Sequence, residues 1–259
     1  MSAPAARLVC DSVTLRFAGL TALQDVSFAA EPGELLAVIG PNGSGKTSLL
    51  NCVSGVVAPQ RGRVELNGVS LVGSRRRSAD VGVARTLQSL GLFAGLTVLD
   101  NVLVGRHRHM RGGFLAGALW LGRASREEHE QRAACALILE RLDLIDHAAT
   151  VVSLLPYGVQ KRVELARALA MQPRLLLLDE PVAGMNADEI AEMARTLREL
   201  RRRERLTVVL VEHDMPFVMG LADRVLVLDF GSVIAVGTPA QVQRDERVLA
   251  AYLGEEVPT

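Results

Sequence analysis

The chain has 259 residues, and its 29 Lys plus Arg are balanced by 29 Asp plus Glu, so the formal charge at pH 7 is zero. That balance excludes the broad basic field of a general nucleic-acid binder, and 49% hydrophobic residues exclude extended disorder. Cys10, Cys52 and Cys135 show no CxxC or zinc-ligand spacing and are expected as buried free thiols of a reducing compartment.

In chain order, residues 9–17 (VCDSVTLRF) place Val9, Val13, Leu15 and Phe17 on alternate positions, which predicts a strand with one apolar face. A second alternating run covers 23–30, and ELLAVI (34–39) reads as a buried strand. It leads into GPNGSGKT and a helix from about Thr47 to Val53. Short strands near 63–66 and 81–84 complete a β-rich first third. From about 97 to 150 the pattern is helical and arginine-rich, with a helix over Arg126–Leu142. Strand and helix then alternate: helix 160–171, strand 174–178, helix 187–203, strand 207–211, helix 214–221, strand 224–229. Ile190, Met193, Ala194, Leu197 and Leu200 form the inward stripe of the 187–203 helix. Continuous apolar strands between helices predict a largely parallel sheet covered on both faces.

No apolar run approaches the roughly 18–20 residues needed to cross a bilayer. The N-terminal MSAPAARLVCD meets a charge too early for a signal peptide. A soluble chain is expected, with any membrane role passing through a partner.

The chemistry concentrates at Gly40-Pro41-Asn42-Gly43-Ser44-Gly45-Lys46-Thr47, which fits G-x-x-x-x-G-K-[ST] between a strand and a helix. Such a loop wraps a triphosphate in backbone N–H groups and points a helix N-terminus at the anion. Lys46 is expected to bridge the β- and γ-phosphates, the Thr47 hydroxyl to bind Mg²⁺, and Ser48 to add a hydroxyl near the α-phosphate. Only Lys46 and Lys161 are lysines among the 29 basic residues, so a lysine in this loop asks for a chemical reason. Further on, LLLLDE (175–180) ends an apolar strand in two acids. Alone it is a core strand capped by carboxylates. Beside a phosphate loop, Asp179 becomes a metal ligand and Glu180 the general base that polarises the attacking water.

With these motifs in this order, the chain resembles the ATP-binding cassette of an ABC transporter over nearly its whole length. The resemblance implies an α/β P-loop NTPase core of RecA-like type, with an N-terminal antiparallel β subdomain and an inserted α-helical subdomain. It divides a single domain of residues 1–255 into a nucleotide-binding core (1–92 and 161–255) and a helical, signature-bearing part (93–160), with 256–259 as a tail. Phe17 matches the aromatic that stacks on adenine. Gln88, in RTLQSLGLF, matches the glutamine that senses Mg²⁺ and faces the membrane subunit. His213, in VVLVEHDM, matches the switch histidine at the γ-phosphate. Leu155-Pro156-Tyr157-Gly158-Val159-Gln160 lies where the family signature LSGGQ lies, so Tyr157 and Gly158 are expected to contact the ATP of the opposite subunit. Pro156 replaces the signature serine and Val159 the glutamine, which removes a hydroxyl donor from that half-site. The L-x-Y-G form, with RTLQ, EPVAGMN, EHDMPFVMG, GTP and AYLGE, resembles one of the two cassettes of branched-chain amino-acid importers.

The resemblance implies an ATPase that uses ATP and Mg²⁺ at the cytoplasmic face of the inner membrane. Its partners would be a second cassette, two transmembrane permeases and, indirectly, an external solute-binding protein, with no nucleic acid. Two other readings stand beside it: a soluble ABC ATPase acting in translation or DNA maintenance, and a nucleotide-dependent regulator with weak hydrolysis. A single phosphate loop and neutral charge weigh against the first, and Glu180 with His213 against the second. Elsewhere, His107-Arg108-His109 reads as a solvated loop and Arg201-Arg202-Arg203 as a helix end favoured by the macrodipole. GFLAGALWLG (113–122) reads as a packed part of the helical region.

Overall fold

The computed structural model describes residues 6–86, 90–107, 122–204 and 206–253. Strands β1 (Leu8–Phe17), β2 (Leu20–Ala30), β4 (Arg61–Leu66) and β5 (Val69–Ser70) form an antiparallel sheet in the order β2-β1-β4-β5. The second sheet holds β3 (Leu35–Ile39), β6 (Val83–Arg85), β7 (Leu175–Asp179), β8 (Thr207–Val211), β9 (Arg224–Asp229) and β10 (Ser232–Gly237). Its order is β10-β9-β3-β8-β7-β6, parallel throughout except for β10 on β9. The helices are α1 (Lys46–Val53), α2 (Arg75–Asp80), α3 (Val98–Gly105), α4 (Gly122–Arg141), α5 (Tyr157–Ala170), α6 (Ala187–Glu204), α7 (Met215–Leu221), α8 (Pro239–Val242) and α9 (Glu246–Leu253).

Every residue of β3, β7 and β8 is buried, as parallel strands covered on both faces must be. The twofold period of a strand divides their side chains between different cores. Leu36, Val38, Leu175, Leu177, Val209 and Val211 pack with α1 (Leu49, Leu50, Val53) and with Leu8, Leu15 and Leu23 of the antiparallel sheet. Leu35, Leu176, Leu178, Val208 and Leu210 face the helices, meeting Val163, Leu197 and Phe217. A third cluster joins Ala37, Ile39, Val225 and Val227 to Val218, Val242 and Val248. On α6, Met193, Ala194, Leu197 and Leu200 are buried and Ile190 is half-buried, the stripe that the sequence predicts.

Several elements differ from the sequence reading. In β1 the buried residues are Leu8, Cys10, Val13 and Leu15, because an irregularity between Cys10 and Val13, with Ser12 at φ +52°, shifts the parity of the strand. Val9 therefore sits off the buried face, and Phe17 is exposed. Helix α5 begins at Tyr157, three residues before the expected start, with Pro156 as its N-cap. The last strand pair is antiparallel: β9 and β10 are joined by Phe230 and Gly231, whose φ values of +41° and +78° suit a tight two-residue hairpin. Helices α2 and α8 carry too few apolar residues to announce themselves. Caps hold them instead: the Ser74 hydroxyl accepts from the Arg77 N–H, and Thr238 with Gln241 forms a capping box.

A candidate nucleotide site at the carboxyl edge of the sheet

β3, β7 and β8 end at one edge of the parallel sheet, and β3 lies between β8 and β9, so the chain crosses from one side of β3 to the other as it passes from β8 to β9. Ligands of open α/β sheets bind at such a crevice. From β3 the chain turns through residues 40–45 into α1. Gly45, the N-cap of that helix, has φ +103°, and a Cβ there would lie 2.6 Å from the Ala22 carbonyl oxygen. A Cβ on Gly40 would lie 2.0 Å from the Leu228 carbonyl oxygen. The loop is thus wedged against β2 and β9, and only a residue without a Cβ fits at Gly45, where α1 begins.

Lys46 folds back over this loop. Its ammonium donates to the carbonyls of Gly40 (2.7 Å) and Pro41 (2.8 Å). Burial pulls its pKa below the ordinary lysine value, while the charges of Glu180 and Asp179 act in the opposite direction. The Ser44 hydroxyl is buried with no hydrogen-bond partner, an unmet donor within the loop.

A cleft of about 440 Å³ opens here, lined by Phe17, Leu20, Thr21, Ala22, Asn42, Gly43, Gly45, Lys46, Thr47, Ser48, Glu180 and Phe230. That volume lies within the ordinary range for small-molecule sites. Glu180 follows β7 with φ +49°, and its N–H donates to the Val211 carbonyl at 2.9 Å. Asp179, the last residue of β7, is buried and paired with Arg85 of β6 at 2.8 Å. His213 follows β8 with its side chain 67% exposed and its Nδ1 3.4 Å from a carboxylate oxygen of Glu212.

Tyr157 and Gly158 do not line this cleft. They start α5 against the loop that follows Glu180 and the first turn of α6. The Tyr157 ring comes within 3.3 Å of a Cβ placed on Gly184, and a Cβ on Gly158 would meet Glu189. Gln88 lies outside the described residues, as do Arg108, His109 and residues 113–121.

Three residues of this region are given no role by the sequence, although Arg85 opens RTLQ and Glu212 opens EHDMPFVMG. The Arg85 guanidinium also donates to the Asn51 side chain (2.6 Å) and the Ser54 hydroxyl (3.2 Å), so it clamps α1 to the end of β7. Glu212 is buried, and its carboxylate accepts from the N–H groups of Val182 (3.1 Å) and His213 (2.7 Å), joining the turn after Glu180 to the turn that carries His213. Phe230 joins the cleft through the β9–β10 turn. A buried acid at a strand end, as in VVLVEH, is a signal that could have found Glu212. Arg85 and Phe230 have no comparable local signal.

The donor set near Lys46 suits a magnesium ion shared with a phosphate substrate: the Thr47 hydroxyl and the Asp179 carboxylate are hard oxygen ligands. Among the described residues there is no group of three His, Cys, Asp or Glu side chains that would cage a metal by itself.

Comparison with known proteins agrees with this geometry. The family model described as ABC transporter matches residues 23–183, which hold both the phosphate loop and the two acids. The chain belongs to the ABC transporter family. A second model, described as branched-chain amino acid ATP-binding cassette transporter, matches residues 232–258 of this cassette. The cassette is 40% identical over 249 residues to the high-affinity branched-chain amino acid transport ATP-binding protein LivG of Escherichia coli (strain K12), covering 96% of this chain and 98% of that one. It is 39% identical over 249 residues to the corresponding BraF protein of Pseudomonas aeruginosa, with the same coverage. Among solved structures, a nucleotide-free ATP-binding cassette from an ABC transporter superposes with a TM-score of 0.83 at 28% identity, covering 95% of this chain and 98% of that chain. The ADP conformation of another ABC transporter cassette gives 0.81 at 28% identity, covering 98% and 100%. The fold is therefore that of an ABC ATPase, and the cassette binds nucleotide.

Proposed function

We propose that this chain is the ATP-hydrolysing subunit of an importer for branched-chain or related amino acids, held peripherally at the cytoplasmic face of the membrane. The observation that carries the catalytic part is the meeting of the phosphate loop, Glu180 and Phe17 in one cleft. The solute class rests on the likeness to LivG and BraF. Among the described residues no helix is long and apolar enough to cross a membrane, which suits a subunit that works through separate permeases.

In this reading the triphosphate lies along residues 40–48, and Phe17 stacks on the base. Lys46 exchanges its two loop carbonyls for the β- and γ-phosphates, whose charge offsets the cost of its burial. Thr47 and Asp179 would hold Mg²⁺, with Gln88 completing the set; the ion supplies charge neutralisation at the phosphate oxygens. Glu180 takes the proton of the attacking water as the bond from the γ-phosphorus to the ADP oxygen breaks, and His213 contacts the γ-phosphate. Tyr157 and Gly158 serve the ATP of the partner cassette. The signature here offers Pro156 at the N-cap of α5 with no side-chain hydrogen bond, so a second, unlike cassette is the partner best suited to complete the pair.

Two measurements test this. Glu180→Gln keeps ATP binding but lowers turnover by about 10²–10⁴-fold; turnover equal to wild type overturns the general-base role. Purified from detergent-solubilised membranes of its native cell, the chain brings two permeases and a second cassette. Recovery of soluble partners or ribosomes alone overturns the transport reading.

A further inference from the structure

We infer that Phe230 is a second nucleobase contact, sharing the base with Phe17. This rests on the nucleotide reading of the cleft and goes beyond it, since it assigns a recognition role to the β9–β10 turn.

Phe230 is 88% exposed, more than any other large hydrophobic side chain among the described residues. An isolated exposed apolar residue needs no explanation. This one is not isolated: Leu20 (71%) and Phe17 (45%) are exposed on the same cleft. Three solvated apolar side chains thus line the same cleft as residues 42–48, and a purine is the part of a nucleotide that gains from covering them.

The backbone beneath Phe230 is fastened to the site on two sides. The Gly231 N–H donates to the Ser44 carbonyl of the phosphate loop (3.0 Å), and the Gln24 N–H of β2 donates to the Gly231 carbonyl (2.8 Å). A Cβ on Gly231 would stand 2.7 Å from the Ala22 carbonyl oxygen, so the turn sits in close contact with β2 beside Gly45. Phe230 itself takes a left-handed φ of +41°, a conformation that a non-glycine residue adopts at a cost. The turn therefore fixes the backbone that presents this aromatic ring to the cleft. The lining residues that β1 and β2 contribute beside Phe230 are Phe17, Leu20, Thr21 and Ala22, apolar but for Thr21. Stacking without hydrogen bonds to base edges tolerates any base, so adenine and guanine nucleotides gain alike from Phe230.

The test is equilibrium binding of ATP, GTP and inorganic tripolyphosphate to the purified full-length chain, by calorimetry, for wild type, Phe230→Ala, Phe230→Trp and Phe17→Ala. Phe230→Ala weakens ATP and GTP binding roughly tenfold, as loss of one stacking contact does. It leaves tripolyphosphate affinity unchanged, and Phe230→Trp restores nucleotide binding. Nucleotide affinity that Phe230→Ala does not change overturns the proposal. So does an equal loss for tripolyphosphate, which would place the effect on the phosphate loop. A wild-type chain that binds neither ATP nor tripolyphosphate overturns the nucleotide reading itself and this inference with it.

Discussion

Asp179 shows how one buried carboxylate is held by its neighbours. Its carboxylate is buried, and Arg85, 14% exposed, supplies its countercharge while reaching Asn51 and Ser54 with its other nitrogen. Removing one partner of such a pair leaves an uncompensated buried charge, which costs several kcal/mol where burial is nearly complete. Arg85→Gln is expected to destabilise the fold by about 3 kcal/mol, read as a lower urea midpoint, and to reduce ATP turnover by loosening α1 against β7. Arg85→Lys keeps the charge but not the fork, so its loss is smaller. Equal midpoints for wild type and Arg85→Gln would show that the pair is energetically silent. Nothing local in VGVART marks Arg85 for this role, because its partner lies 94 residues away.

At the scale of elements, β3 and α1 are joined by backbone that a side chain would obstruct. Gly45→Ala places a methyl group 2.6 Å from the Ala22 carbonyl oxygen, at a φ of +103°. The expected loss is at least about 1–3 kcal/mol from backbone strain alone, and nucleotide binding falls with it as the start of α1 shifts. Calorimetric titration with ATP and a thermal melt read the two effects separately; a variant that binds ATP like wild type would show that the loop does not need this geometry. The element pattern was readable where burial is continuous, as in β3, β7 and β8, and where a stripe recurs, as in α6. It was unreadable where a bulge shifts parity in β1, or where caps rather than apolar residues hold α2 and α8.

For the whole molecule, the three thiols report on packing. Cys10 and Cys52 lie in the core under the antiparallel sheet and Cys135 in the core under the helices. Burial pushes Cys52 and Cys135 up to about 11 and Cys10 higher still. The unfolded chain, with thiols near 8.5, releases these protons first as pH rises. The contribution to stability is therefore intact below about pH 8.5 and is lost progressively toward pH 11. The urea midpoint is expected to fall between pH 8 and pH 10, and the fall to be smaller in the Cys52→Ala/Cys135→Ala double variant. A maleimide is expected to label wild type only after unfolding. Rapid labelling of the native chain at pH 7.5 would contradict the packing of both cores.

The sequence by itself determined what depends on neighbours along the chain: the GPNGSGKT turn, the two acids ending an apolar strand, the buried strands and the inward face of α6. These follow from local steric and periodic rules, and the family resemblance added Phe17, Gln88, His213 and the signature as expectations. Only the tertiary structure decided that Phe17 leaves the core and joins the cleft, that Arg85 holds Asp179, that Glu212 ties two turns together, and that Phe230 lines the cleft. Phe17 ends β1 of the antiparallel sheet, and the other three depend on strands that pair in the order β10-β9-β3-β8-β7-β6 rather than in chain order. The sheet brings residues far apart in sequence within hydrogen-bonding distance, and no local pattern records which of them will meet.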